Sequence, residues 1–220
     1  MKTIAIIPAR GNSKRLPNKN IKLLGNVPLL VHSIYYAKQH DFIDAIYVST
    51  NDEDIKHVAL NYGAKVIDRP NELSGDLEPT VTALKHVLES LDYDVENVVL
   101  LQPTNPLRPK NLLKEAFQLF NDTMSESLFT VTRNHQKFGT IENTVFKPFN
   151  YCIGQRSQDL EPLYFENGLL YITKAKHILN NQIITGKAFP LIVNHPFASI
   201  DIDTQEDFEY AEFLLKKDSR

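Results

Sequence analysis

The most constraining feature of this sequence is an alternation. Residues 3–7, 45–49, 65–67, 97–101 and 128–132 are short apolar runs rich in β-branched side chains, which read as buried strands. Between them, apolar residues recur at helical spacing: Val27, Leu30, Val31 and Ile34; Ile55, Val58, Ala59 and Tyr62; Val81, Leu84, Leu88 and Leu91; Leu112, Leu113, Ala116, Phe117 and Phe120. Pro28 stands near the start of the first helix; Asn51 or Asp52 enters the second and Gly63 stops it. Strand following helix in this way predicts an α/β fold, with a mostly parallel sheet covered on both faces.

The alternation lapses after about Thr132. Residues 133–182 are richer in Asn, Gln, Tyr and Phe, with a strand expected at 169–173. This stretch reads as a small inserted lobe or dimer arm within a single domain spanning residues 1–220. A last short strand is expected at 200–203. Thr204 then caps a C-terminal helix, with Asp207 three residues on and Phe208, Ala211 and Leu215 facing inward. A chain of 220 residues can bury its own core.

Several function classes are disfavoured. A net charge of −3 offers no strong global field for nucleic acid. Cys152 is the only cysteine, so an internal disulfide or a cysteine-based zinc site is impossible. That suits a cytoplasmic setting, with Cys152 expected to be small and buried. The apolar run at the start is too short for a signal peptide and is cut by Pro8 and Arg10; no run approaches a membrane span. No Gly-x-Gly-x-x-Gly follows the first strand, and Gly186-Lys187 lacks the rest of a P-loop and reads as a turn. The seven histidines show no ligand-pair spacing; His32, His57 and His86 are expected on helix surfaces.

What remains is a basic loop. Residues 8–20, after the first strand, carry Arg10, Lys14, Arg15 and Lys19. Parallel sheets place ligands at the carboxyl ends of their strands. Four cations there, on an acidic chain, suggest a polyphosphate. Gly11 would let backbone N–H groups approach its oxygens, with Arg gripping them bidentately and Lys as a point charge.

Pro8-Ala9-Arg10, with Lys14, Leu16-Pro17 and Lys19-Asn20, resembles the opening signature of the acylneuraminate cytidylyltransferases, or CMP-sialic acid synthetases. The resemblance continues at Val48-Ser49-Thr50, Arg69-Pro70-x-Glu72-Leu73, Leu101-Gln102-Pro103-Thr104-x-Pro106-Leu107-Arg108, Asn167-Gly168-x-x-Tyr171 and Asp201-Ile202-Asp203-Thr204. The blocks keep the family's order over nearly the whole chain. The resemblance implies a Rossmann-like, three-layer α/β/α nucleotidyltransferase acting as a homodimer on CTP and a nonulosonic acid, with Mg²⁺ or Mn²⁺. It implies that Ala9, Arg10, Gly11, Asn20, Arg69, Pro79 and Thr80 hold the nucleotide, the last three reading cytosine. Arg10 and Lys19 would stabilise the phosphates and departing pyrophosphate. Gln102, Lys137, Arg156, Asn167 and Tyr171 would hold the sugar acid.

Asp201 and Asp203 flank Ile202, and strand spacing would put both carboxylates on one face. Two hard oxygen ligands suit a divalent cation that also binds substrate phosphates. The resemblance gives the pair metal binding and activation of the sugar hydroxyl, without dividing the roles. Bland alternatives stay open. Asp203 could simply favour the start of the last helix. Arg69 could pair with Asp68 or Glu72, Gln102 could be a turn residue, and Tyr171 could be core. Rival functions are a cytidylyltransferase for an eight-carbon acid such as KDO, a metal-dependent glycosyltransferase with an Asp-x-Asp pair, and a non-catalytic nucleotide- or sugar-binding regulator.

Overall fold

The alternation folds as a layered sheet, seen in a computed structural model that describes residues 2–11 and 13–218. Met1 and Asn12, the latter within the basic loop, lie outside the described residues. The elements in chain order are β1 (Lys2–Pro8), β2 (Leu23–Leu24), β3 (Val27–Pro28), α1 (Leu29–Lys38), β4 (Ala45–Thr50), α2 (Glu53–Asn61), β5 (Lys65–Asp68), α3 (Thr80–Glu89) and β6 (Val95–Leu100). They continue with α4 (Leu112–Asp122), β7 (Ser127–Asn134), β8 (Gly139–Glu142), β9 (Val145–Pro148), β10 (Leu163–Lys174), α5 (Ala175–Leu179), β11 (Phe189–Ile192) and α6 (Gln205–Asp218).

Seven strands form one sheet in the order β11-β7-β10-β6-β1-β4-β5. β1 pairs in parallel with both β4 and β6, β4 with β5, and β7 with β11; β10 alone runs antiparallel to its neighbours β6 and β7. Period-two geometry sorts the core. Ala5 and Ile7 face a cluster with α1, α2 and α4, while Ile4 and Ile6 face a second with α3 and α5. This is the expected three-layer α/β/α arrangement. The chain leaves β1 toward β4 on one side and returns to β6 on the other. The sheet therefore has a switch point between β1 and β6, where ligands of open α/β sheets settle.

Local signals explain the helix ends. Asp52 caps α2, its Oδ1 accepting from the Ile55 N–H at 3.0 Å, and Gly63 follows with φ of 73°. Thr204 and Asp207 form the expected capping box at α6. Asp207 Oδ2 accepts from the Thr204 N–H at 2.8 Å, and Thr204 Oγ1 accepts from the Asp207 N–H at 3.3 Å. Phe208, Ala211 and Leu214 are the buried residues of α6, with Leu215 partly buried beside them. Among the described residues no helix is long and apolar enough to cross a membrane.

Several expectations are corrected. Val27 and Pro28 do not begin α1. They form β3, which pairs with β2 across Gly25 and Asn26, both at positive φ as a tight two-residue hairpin turn requires. Residues 200–203 form no strand. They run past the loop after β6, where the Ile202 N–H donates to the Thr104 carbonyl at 2.9 Å, and among the described residues they enter no strand pairing. The spacing argument for Asp201 and Asp203 loses its basis there. β11 is a strand that the apolar-run pattern does not predict. Cys152 is exposed, not buried. His32 is half-buried, its Nε2 2.9 Å from the Leu24 carbonyl, and burial lowers its pKa.

Within residues 133–182, the strand is longer than expected. Leu163–Lys174 is β10 of the central sheet, so the excursion is confined to roughly the β8–β9 hairpin and its flanks. That arm exposes Ile141, Val145, Phe146, Phe149 and Ile153.

Candidate active site

The loop after β1 ends in a 3-10 turn, Lys19–Ile21, which buries Lys19 and Asn20. Asn20 Nδ2 donates to the Arg10 carbonyl at 2.9 Å and ties the two ends of the loop together. Lys19 Nζ donates to the Ile202 carbonyl at 2.6 Å and to Asp203 Oδ1 at 2.9 Å. Arg15 pairs with the other oxygen of Asp203 at 3.1 Å. The basic loop and the segment before α6, 183 residues apart in sequence, are thereby joined at the switch point.

A cavity of about 530 Å³ opens there, walled by Arg10, Lys14, Lys19, Asn20, Arg69, Pro79, Thr80, Gln102 and Asp203. Arg69 is 8% exposed, and its Nε and Nη2 are buried with no partner among the described residues. Burial, with Arg10 adding repulsion, pushes its pKa down to about 10. Buried donors without partners are costly, so an acceptor from a ligand would relieve this group. The loop after β5 contributes Asp76, which pairs with Arg10 at 2.8 Å and also with Lys14. Lys14 first, then Arg10, holds the Asp76 carboxyl below its usual pKa. Thus two of the four loop cations carry Asp76, and the other two carry Asp203. Neither Asp76 nor Arg15's pairing was foreseen from sequence.

A second cavity of about 370 Å³ shares Pro79, Thr80 and Gln102 with the first. Tyr171 lines it, only 8% exposed, and donates its hydroxyl to Glu166 at 3.2 Å. Gln102 is held by its backbone: the guanidinium of buried Arg108 donates to its carbonyl at 2.9 Å, and to the Leu169 carbonyl at 2.7 Å.

The family described as Cytidylyltransferase matches residues 4–219. This chain belongs to the cytidylyltransferase family. It is 36% identical to the pseudaminic acid cytidylyltransferase of Campylobacter jejuni subsp. jejuni serotype O:23/36, over 98% of this chain and 97% of that one. It is 34% identical to the CMP-N,N'-diacetyllegionaminic acid synthase of Legionella pneumophila, again over 98% and 97%. Against the N-acylneuraminate cytidylyltransferase of Escherichia coli O18:K1:H7 it is 33% identical and spans 53% of that longer chain. A solved structure of CMP:2-keto-3-deoxy-manno-octonic acid synthetase complexed with CTP shares the fold, with a TM-score of 0.74 at 16% identity, covering 99% of this chain and 100% of that one.

In this cytidylyltransferase the expected site residues divide into three groups. Arg10, Lys19, Asn20, Arg69, Pro79, Thr80, Gln102 and Asp203 line the first cavity, and Tyr171 the second. Ala9, Gly11 and Asn167 lie behind the walls. Ala9 is fully buried in the core; the Gly11 N–H donates to Asn51 Oδ1 at 3.1 Å. A side chain at Gly11 would meet Asp52 Oδ2 at 2.7 Å, so the glycine serves close packing. Asn167 is 5% exposed: its Oδ1 accepts from Thr130 Oγ1 at 2.5 Å and its Nδ2 donates to Thr132 Oγ1 at 3.0 Å. It ties β10 to β7. Lys137 and Arg156 sit on the exposed arm and line neither cavity. Lys137 donates to the Gln155 carbonyl, and Arg156 grips Asp159 at 2.7 and 3.0 Å. Asp201 is exposed and outside the first cavity's wall; burial first, then Glu166, raises the pKa of Tyr171, and the charge of Asp201 adds to this.

Proposed function

We propose that this cytidylyltransferase transfers CMP from CTP to the anomeric hydroxyl of a nonulosonic acid. The observation that carries the reading is the first cavity, where Arg10, Lys14, Lys19 and Arg69, whose Nε and Nη2 have no partner among the described residues, converge beside Asp203 and Gln102. The hydroxyl oxygen forms a bond to the α-phosphorus, the bond from that phosphorus to the α–β bridging oxygen breaks, and pyrophosphate leaves. The hydroxyl proton passes to a carboxylate, with Asp203 and Asp201 the candidates. Catalysis is mainly positioning plus electrostatics. Arg10 and Lys14 take the phosphates, which replace Asp76 as their partner. Arg69 and the backbone at Pro79 and Thr80 take the cytosine end. The relatives named for pseudaminic, legionaminic and neuraminic acids support a nine-carbon acid; an eight-carbon acid is the control.

A divalent cation, Mg²⁺ or Mn²⁺, fits this chemistry. Among the described residues no group of three or more His, Cys, Asp or Glu could hold a metal alone. Mg²⁺ needs only one or two carboxylates when substrate phosphates complete its shell; Asp203 on the cavity wall would supply one, with Asp201, outside that wall, the second candidate. When bound, it would neutralise the triphosphate and polarise the α-phosphate. Asp203 would then exchange its pairing with Arg15 and Lys19. The exposed apolar arm supports a homodimer, since apolar residues so clustered mark an interface; light scattering reads it directly.

The test is incubation with CTP, Mg²⁺ and a panel of pseudaminic, legionaminic, neuraminic and eight-carbon acids. Pyrophosphate release and a CMP-sugar mass are expected for a nine-carbon acid. Silence across the panel would remove the reading.

A further inference from the structure

Arg108 is a buried charge that lines neither cavity. Among the described residues no carboxylate pairs with it. Its guanidinium is held instead by a fork of three neutral acceptors. Nε donates to the Leu169 carbonyl at 2.7 Å, Nη1 to Ser33 Oγ at 3.0 Å and Nη2 to the Gln102 carbonyl at 2.9 Å. The Tyr36 ring centre lies 5.6 Å from the guanidinium carbon, and the Tyr36 hydroxyl donates to the Pro109 carbonyl at 3.0 Å. Burial pulls the Arg108 pKa down to about 10, which leaves the group charged at neutral pH.

For stability alone such a group is a poor choice. Taking a charge out of water is costly, and well-packed apolar side chains often serve a core as well or better. The acceptors show what the charge is used for. They belong to α1, to the stretch of β10 where its register with β7 shifts, and to the loop after β6. Gln102, at the start of that loop, lies in the wall that both cavities share. Among the described residues no hydrogen bond holds the Gln102 side chain, so its aim follows from its backbone. The same loop steadies the segment before α6, because Asn105 Nδ2 donates to the Ile200 carbonyl at 2.5 Å. We infer that Arg108 is a positioning residue for the transfer: it reaches no substrate itself, and its fork fixes the Gln102 backbone so that the amide side chain meets the wall between the two cavities. A lysine would keep the charge but not the fork. The inference rests on the transfer proposed above and adds to it a residue that acts from outside the site.

The experiment measures kcat and KM for CTP, and for the nine-carbon acid that wild type turns over, in Arg108→Lys, Gln102→Ala and the double variant. Arg108→Lys should lower kcat/KM for the acid about 10- to 100-fold, the scale of a small misplacement from outside the chemistry, with KM for CTP within about twofold of wild type. In the Gln102→Ala background the same substitution should cost less than about threefold, because residues acting through one another are not additive. Val87→Ala, in the core on the α3 side, is the control: it lowers Tm by opening a cavity and should leave kcat/KM for the acid unchanged. Ser33→Ala removes one arm of the fork with little change of volume, and should lower kcat/KM for the acid about threefold, again only while Gln102 is present. Additive losses in the cycle, or an unchanged kcat/KM in folded Arg108→Lys, overturn the inference while pyrophosphate release still stands. Where Arg108→Lys does not fold, an unchanged value in Ser33→Ala overturns it. Absence of product from every acid with wild type would instead strike the transfer reaction, and this inference with it.

Discussion

Lys19→Met is the most informative perturbation, because Lys19 stitches together segments that no strand pairing joins. The side chain is buried, and Nζ reaches the Ile202 carbonyl at 2.6 Å and Asp203 at 2.9 Å. A hydrogen bond to a charged group contributes about 1.5–3 kcal/mol. The carbonyl contact counts fully, since Ile202 is buried. The Asp203 contact counts little, because that carboxylate is 38% exposed and Arg15 still holds it, so about 0–1 kcal/mol is appropriate. Met fills the vacated volume and recovers part of the packing. The net loss is about 2 kcal/mol, which for a domain this size shifts Tm by about 4–8 °C. Activity should fall about 10²- to 10³-fold in kcat/KM, as when one aimed donor is removed from a site of developing charge. Calorimetric melting and pyrophosphate release measure the two effects. Arg15→Met is the control: its side chain is 71% exposed, and its Tm should stay within about 1 °C of wild type, as surface pairs add little. If Lys19→Met melts with wild type, the clamp contributes nothing and the argument for how Asp203 is placed fails.

Three further outcomes are expected. Asp76→Asn removes the carboxylate neutralising Arg10 and Lys14, so KM for CTP should drop several-fold in low salt and less in high salt; a raised KM would show Asp76 working for the nucleotide. Asp207 should contribute to acid resistance. Burial raises its pKa, but donation from the Asp203 and Thr204 N–H groups and the Thr204 hydroxyl more than offsets this, leaving a lowered value. A depressed carboxyl stabilises the fold fully above its ordinary unfolded value of about 3.9 and loses that contribution as pH falls through the folded value. Asp207→Asn should therefore shrink the gap to wild type as acid is added, measured by melting at stepped pH; a gap independent of pH would point to capping geometry alone. Cys152 should react with a thiol reagent at the rate of a model peptide in the native protein, and slow labelling would contradict its exposure.

Much of the fold was legible because its signals are local. β1, β4, β5, β6 and β7 each announce themselves by an apolar run, and α6 by Thr204 and Asp207. β11 escaped because Pro190 sits inside Phe189–Ile192, and proline argues against a central strand; β11 is an edge strand, where proline is tolerated. The β2–β3 hairpin escaped because Val27 fell in phase with the helix that follows it. In the site, the cations were legible from their place after β1. Their partners were not. Asp76 lies 66 residues from Arg10 by sequence, and nothing in Ser74-Gly75-Asp76 marks it as an ion-pair partner. Glu166 was hidden for a related reason, since only an irregular β10 brings it over Tyr171. Arg108 was visible as part of a motif, but a sequence cannot say that its guanidinium would be buried against Ser33, Leu169 and Gln102.

The pairing of the loop cations changes what the basic loop means. A bare cluster of Arg10, Lys14, Arg15 and Lys19 would attract any polyanion. Here each already has a carboxylate partner, Asp76 for two and Asp203 for two. An incoming triphosphate must exchange ion pairs, so its charge yields less net affinity than four unpaired cations would give. Arg69 differs: it is buried, its Nε and Nη2 lack partners among the described residues, and it lines the same cavity. A ligand that carries an acceptor for Arg69 as well as phosphates for the loop satisfies both. On the proposed CTP reading, selectivity for a whole nucleotide over free phosphate would come from the Arg69 donors that the described residues leave unmatched.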